Sequence, residues 1–264
     1  MDGRAGDFSC SGISLAARVT LDTMGGAGVT GNDVWGWTDS QTAREYALMG
    51  LSNGTAFVDV TEPSNPLFAG CHNVTRTHDT QCVVYEGPDA AHRGRQICVS
   101  SNEDRLEVVD VTEKAAPLSL SSITYPQMGY VHQGWLTEDH RYFLLGDELD
   151  ELHLNLYTRT HVFDVTDLDA PEYLYAHDLG TFATDHNLYV LGERVFEANY
   201  TSGLRVLRFG DLASGDMTEI AFFDTFPDSD GPFMESAWSV YPYLPSGTIL
   251  VSDMANGLFV LSMP

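Results

Sequence analysis

Short apolar runs separated by turn residues fill the whole chain, and one run recurs. Phe57-Val58-Asp59-Val60-Thr61-Glu62 runs on to Pro66, Val108-Val109-Asp110-Val111-Thr112-Glu113 to Pro117, and Val162-Phe163-Asp164-Val165-Thr166-Asp167 to Pro171. In each copy the proline falls seven residues after the first Asp, and those Asp positions are 51 and 54 residues apart. Weaker copies follow at Leu204 to Phe209 and at Leu258 to Leu261. A period near fifty residues marks a propeller, a solenoid or an array. Within each full unit the pattern predicts four short strands, for example Glu45 to Leu51, Thr55 to Val60 and Leu67 to Ala69 after an opening strand at Asn32 to Trp37. No segment sustains the i, i+3, i+4 spacing of an amphipathic helix.

Four-stranded units in series predict a β-propeller. The last unit holds only three strands, and the chain begins with an unassigned alternating stretch, Ile13 to Leu21. That stretch is expected to supply the missing outer strand and close the ring, which would leave fewer open edges. The expected fold is thus all-β: one five-bladed β-propeller of four-stranded antiparallel blades over residues 1–264. Residues 1–12 are expected to form a flexible or disulfide-tethered tail. The recurring Asp-Val-Thr falls where strand three turns into strand four. Its Asp and Thr are expected to bond the turn backbone, and the proline suits an outer strand.

The openings of the first strands carry the candidate chemistry. His78, His132 and His186 hold the same place in three successive units, 54 residues apart each time. Asp33 holds that place in the first unit and Ser236-Ala237 in the fifth. In a propeller these positions converge at one mouth of the central channel. The loops between strands two and three return to the same face. They carry Glu103 and Asp104, then Asp147, Glu148, Asp150 and Glu151. Histidines with a carboxylate, His78, His132, His186 and Asp33, suit zinc or another transition metal. The acidic loops alone (Glu103, Asp104, Asp147, Glu148, Asp150) suit calcium, which prefers oxygen ligands. The plainer alternative is that the histidines hydrogen-bond neighbouring blades and tie the ring together. Trp35, Trp37, Trp135 and Trp238 are expected to pack between blades, with a sugar-stacking platform as the alternative.

Net charge narrows the partners. At −25 the chain would repel nucleic-acid phosphates, so no nucleic-acid partner is expected. No run of eighteen apolar residues predicts a transmembrane segment. Cys82 and Cys98 fall on neighbouring predicted strands and could bridge them; Cys10 and Cys71 make the other pair by arithmetic alone. Asn53, Asn73 and Asn199 fit the glycosylation acceptor pattern. No phosphate loop, His-Glu-x-x-His or Gly-x-Ser-x-Gly is present. A pair of carboxylates drawn from Asp33, Asp147, Glu148 and Asp185 would serve a glycosidase, but spacing selects none, and no catalytic residue is assigned.

Several strings resemble the choice-of-anchor B proteins. They are Asn-Asp-Val-Trp-Gly-Trp-Thr-Asp at 32–39, Asn-Gly-Thr-Ala-Phe-Val-Asp-Val-Thr at 53–61, His-Asp-Thr-Gln-Cys-Val-Val-Tyr at 78–85 and His-Gln-Gly-Trp-Leu-Thr-Glu-Asp at 132–139. Asp-Glu-Leu-Asp-Glu-Leu at 147–152, Asp-His-Asn-Leu-Tyr-Val at 185–190 and Trp-Ser-Val-Tyr-Pro-Tyr at 238–243 belong with them. That family contains repeats named for a Leu-Val-Ile-Val-Asp consensus, which the third strands match loosely. The resemblance implies a propeller displayed outside the cell or on its surface, with no established enzymatic activity. Against that pattern, the expectation is a sequence without the family's secretion signal and C-terminal anchor, and with about two repeats skipped between Pro66 and Gly70-Cys71. The expectation is a monomeric binding or adhesion module for an extracellular protein or glycan, with a divalent cation (calcium or zinc) at the channel mouth. A metal- or carboxylate-dependent hydrolase of an extracellular polymer is the alternative.

Overall fold

The structure, a computed structural model, describes residues 3–5, 8–10, 15–73 and 76–263, and the side chains of all of these except 3–5, 8–10 and 32–34. A short hairpin, β1 (Gly3–Ala5) and β2 (Phe8–Cys10), and a helical turn, α1 (Leu21–Met24), precede the blades. Blade 1 is β3 (Gly31–Thr38), β4 (Glu45–Leu51), β5 (Gly54–Asp59) and β6 (Leu67–His72). Blade 2 is β7 (Asp79–Val84), β8 (Gln96–Ser101), β9 (Leu106–Asp110) and β10 (Leu118–Ile123). Blade 3 is β11 (Val131–Leu136), β12 (Tyr142–Asp147), β13 (Arg159–Asp164) and β14 (Glu172–Asp178), with a helical turn α2 (Asp150–Leu154) between its second and third strands. Blade 4 is β15 (Asn187–Leu191), β16 (Arg194–Ala198), β17 (Leu204–Phe209) and β18 (Met217–Phe223). Blade 5 is β19 (Ala237–Tyr241), β20 (Thr248–Asp253) and β21 (Gly257–Ser262). Each blade is an antiparallel meander, and the molecule is a five-bladed β-propeller.

Burial explains why the strands read as they do. The middle strands of blades 2 and 3 are buried along nearly their whole length, because a neighbouring blade covers each face. Leu145 and Phe163 pack with Ile97 and Val108 of blade 2. Their neighbours Leu144 and Val162 point the other way, onto Leu188 and Leu207 of blade 4. Each such fully buried side chain stabilises the fold by about 1.5–3 kcal/mol. The fourth strands form the rim and are half exposed. Every third-to-fourth strand pairing carries a register shift at the same place, Phe57/Val58, Ser119/Ser121, Val162/Phe163 and Val206/Leu207. These bulges add the local twist that a blade needs.

The recurring motif is structural, as the sequence predicts. Thr61, Thr112 and Thr166 each donate their N–H to the Asp two residues before, at 3.0, 2.9 and 2.8 Å. In the first two copies the Thr hydroxyl accepts from the start of strand two, Glu45 N at 2.9 Å and Gln96 N at 3.0 Å. One Asp-x-Thr thus closes the turn and pins the neighbouring strand.

The expected closing strand at 13–21 is not what the described residues form. Residues 15–20 carry no strand, and Leu21–Met24 is a helical turn whose N-terminus is capped by the Thr20 hydroxyl. Val19, Leu21 and Met24 pack on Leu51, Ala56 and Val58, covering the face of blade 1 opposite blade 2. The cap residue Thr20 and the trailing Gly25 carry the helix signal. Blade 5 has three strands among the described residues, and Leu258 and Val260 on β21 are 64% and 65% exposed.

Of the cysteines, Cys82 and Cys98 face each other across β7 and β8 and form a disulfide. Cys71 is a free thiol whose Sγ lies 2.9 Å from Asn73 Oδ1, so the Cys10–Cys71 pairing does not form; the Cys10 side chain lies outside the described residues. Among the acceptor asparagines, Asn199 is buried against Glu197 at 3.0 Å. No helix among the described residues is long and apolar enough to cross a membrane.

Candidate metal centre

The first strands lie side by side around the centre, and aromatic rings fill it. Trp35 meets Trp135 edge-on at 5.3 Å and stacks with Tyr189 at 6.0 Å, and Trp135 meets Tyr189 at 5.0 Å. Trp37 stacks on Tyr46 beneath Lys114, as inter-blade packing requires. Trp238 departs from that expectation: it is 46% exposed and sits 4.4 Å from the His186 ring at the mouth. His78, His132, Glu148, His186, Asn187, Tyr200, Met234 and Trp238 line a cavity of about 480 Å³ there.

Local backbone features aim these side chains. The β11–β12 register shifts between Val131 and Gln133, so His132 occupies a bulge; Trp238 occupies the equivalent bulge of blade 5. A bulge re-aims a side chain that regular pleating would turn aside. Two top loops also clamp the next blade. Glu103 pairs with Val131, and Tyr200 with Ala237. Both clamp residues have positive φ, +62° and +35°, a conformation that costs a non-glycine residue energy and recurs at functional sites.

The histidines form a tier. Ring centroids are 4.3 Å apart from His78 to His132 and 4.5 Å from His132 to His186. His132 Nδ1 lies 3.0 Å from the His186 carbonyl oxygen, and His186 Nδ1 lies 2.5 Å from that of Trp238. A carbonyl only accepts, so each Nδ1 must be the protonated nitrogen, and each Nε2 carries the lone pair. Those Nε2 atoms face one carboxylate: His132 lies 3.7 Å from Glu148 Oε2 and His186 lies 3.8 Å from Glu148 Oε1. Tyr200 Oη donates to Glu148 Oε1 at 2.8 Å and fixes its orientation.

Burial dominates the electrostatics. It holds His132 well below the ordinary imidazole value, helped by His186 and His78, and holds His186 down to about 4. Burial also raises Glu148, against the Tyr200 hydrogen bond. Both imidazoles are therefore neutral at pH 7, the form that ligates metal. Two ligands of one tetrahedral zinc sit about 3.4 Å apart, given bonds near 2.0–2.1 Å. The observed 3.7 and 3.8 Å need only a few tenths of an ångström of closure. Two nitrogens and one carboxylate fit a transition metal with an open position.

The structure places the other sequence candidates differently. His78 stacks in the tier, but its Nδ1 is 3.2 Å from Tyr130 Oη and it does not converge with the Glu148 group. The Asp33 side chain lies outside the described residues. Glu103 accepts from Tyr130 Oη at 2.9 Å and pairs with Arg76 at 3.0 Å. Asp104 is exposed beside Arg105. Asp147 is buried, taking Tyr125 Oη at 2.7 Å and the Gly129 and Tyr130 amides. Asp150 is buried against Arg159. The acidic stretch expected to be a loop is thus partly helical and turned inward. Tyr200 and Trp238 are site residues to which the sequence assigns no part in holding a metal. Tyr200 carries a signal, since it follows Asn199 in a top-face loop; for Trp238 the sequence favours inter-blade packing, with a sugar-stacking platform as the alternative.

No protein-family model and no curated protein matches the chain. Solved propellers share its fold. A periplasmic gluconolactonase from Pseudomonas aeruginosa, PpgL, superposes with TM-score 0.56 at 16% identity, over 85% of this chain and 64% of the other. A protein from Lactobacillus plantarum gives 0.58 at 14% identity, over 85% and 68%. A β-propeller domain from Myceliophteria thermophila gives 0.53 at 14% identity, over 83% and 67%. This chain therefore spans about two thirds of each neighbour's length. Likeness at these identities extends to the fold alone.

Proposed function

We propose that this propeller is a metal-bearing binding module of the extracellular kind that its resemblance to the choice-of-anchor B proteins implies. The ion is a transition metal, zinc by donor type, held by His132 Nε2, His186 Nε2 and Glu148. Its open position faces the cavity under Trp238 and Met234, where an oxygen or nitrogen donor of a protein or glycan ligand would complete it. The carrying observation is the pair of spent Nδ1 atoms, which turns both Nε2 lone pairs onto one carboxylate. The Cys82–Cys98 disulfide supports an oxidising compartment. Elemental mass spectrometry on dialysed protein tests the reading. Near-stoichiometric zinc in the wild type, absent from His132→Ala and His186→Ala, is the expected result. No metal in the wild type after zinc exposure would sink it.

One observation favours a second reading. The three candidate ligands line a cavity of about 480 Å³, and three protein ligands with an open fourth position is the arrangement of catalytic rather than structural zinc. On that reading the protein is a hydrolase of an extracellular polymer. Zinc-dependent turnover, lost in Glu148→Gln with the fold intact, would select it over the binding module.

A further inference from the structure

A second cluster lies behind the histidines, where blade 3 meets blade 4. Asp150 and Glu151 come from α2, and Asp185 immediately precedes His186. Asp150, Glu151 and Asp185 are 0%, 2% and 4% exposed, and each offers one oxygen within 4.8 Å of the others. Five of their six carboxylate oxygens have no hydrogen-bond partner: Asp150 Oδ1, both of Glu151 and both of Asp185. Buried carboxylates are normally paired, hydrogen-bonded or bound to a cation, because burial of a bare charge is strongly unfavourable.

The neighbours do not meet that need. Arg159 donates its Nε and Nη2 to Asp150 Oδ2, the one oxygen of the cluster it reaches, and its Nη1 and Nη2 to Gln127. His161, fully buried, holds its Nε2 3.7 Å from the same Asp150 oxygen without bonding it. Asp147 stands outside the set, since tyrosine and backbone donors occupy both its oxygens. The backbone makes way for Asp185. A Cβ on Gly146 would collide with Asp185 Oδ2, so only glycine admits that carboxylate.

We propose that Asp150, Glu151 and Asp185 form an interior site for a hard divalent cation, calcium by ligand type, that joins blade 3 to blade 4. The donors are all oxygen, which excludes the preference that defines the histidine centre. Oxygens that lie within 4.8 Å of one another can share one calcium, whose bonds to oxygen run about 2.3–2.6 Å. Glu151 has both oxygens available for bidentate ligation. Because Asp185 and His186 are adjacent in the chain, filling this site would also fix the strand opening that presents His186 to the mouth.

Calcium chloride titrated into chelator-treated protein tests this, read by calorimetry and by the melting temperature. The wild type is expected to bind about one calcium and to melt higher with it. Asp185→Asn and Glu151→Gln should each weaken calcium binding at least about tenfold while retaining zinc at the histidines. His132→Ala should retain calcium, which separates this site from the metal centre at the mouth. Should the variants fail to fold, the wild-type titration still decides. No binding and no melting shift at millimolar calcium would mean that the carboxyls are simply protonated, and would overturn the proposal. Wild-type-like calcium binding by both variants would overturn it equally.

Discussion

His132 Nδ1 sits 3.0 Å from the backbone oxygen of His186, one blade away. That bond ties blade 3 to blade 4 and leaves the second nitrogen of His132 for other use. The two roles of the ring are separable by substitution. An asparagine side chain has a donor near the position of Nδ1 but nothing at Nε2. His132→Ala should cost about 1–3 kcal/mol, because the buried His186 carbonyl loses its donor. His132→Asn should recover a good part of that stability while binding no more zinc than the alanine variant. Denaturant unfolding and metal analysis on the same preparations check both arms. Full zinc retention in His132→Asn would contradict the assignment of Nε2 as ligand.

Tyr200 holds Glu148 in place without touching the proposed ion. Removing its hydroxyl in Tyr200→Phe leaves Glu148 Oε1 without the donor now at 2.8 Å. Outer partners of this kind typically contribute about 10–100-fold to metal affinity. Zinc affinity, measured by competition with a chromophoric chelator, should therefore fall by about tenfold in Tyr200→Phe. Unchanged affinity would show that Glu148 needs no orienting partner.

What the sequence revealed followed the repeat. The period exposed Asp59, Asp110 and Asp164 as equivalent, and therefore the blades, their order and the turn bonds to Thr61, Thr112 and Thr166. It also put His132 and His186 at one mouth. The repeat could not reveal what breaks it. Thr20 and Gly25 bracket a helical turn inside a loosely alternating stretch, and that turn covers blade 1. The run from Asp147 to Glu151 reads as a solvated acidic loop by composition. It turns inward because Arg159, Tyr125 and the Gly129 amide, all outside the run, donate to its carboxylates. Trp238 is chemically like Trp35, and only its bulge places it at the mouth rather than in the plug.

The Cys82–Cys98 bridge joins the first two strands of blade 2 across 16 residues. Closing a loop of this length stabilises a protein by about 3 kcal/mol in the chain-entropy model. Replacing both cysteines by alanine should lower the unfolding free energy by about that amount, and reductant should lower the wild type to match. Cys71 gives an internal comparison. Burial raises its thiol to about 11, so little thiolate exists at about pH 8. Peptide mapping after iodoacetamide should show Cys71 labelled far more slowly in the folded protein than in urea. Equal rates would contradict its burial.

The turn motif predicts how the fold responds to acid. Asp59 is held below the ordinary carboxylate value by its bonds to Thr61, with Arg44 adding to the effect against burial. For Asp110 burial pushes upward, but Thr112 and Arg95 outweigh it, and the carboxyl again lies below 3.8. In both, the unfolded chain takes up the proton at higher pH than the folded one. Stability therefore rises with pH through this window. The contribution is complete above about pH 4–5 and is lost as pH falls through the lower folded values. Asp110→Asn removes the charge, and the amide it introduces cannot reproduce both the Thr112 and Arg95 interactions. The wild type should exceed Asp110→Asn by about 1–3 kcal/mol at about pH 7, and the gap should close between about pH 4 and 2. Urea unfolding of both proteins at about pH 7, 4 and 2.5 measures it. A gap that stays constant over that range would mean that the carboxylate charge contributes nothing and that the motif acts through shape alone.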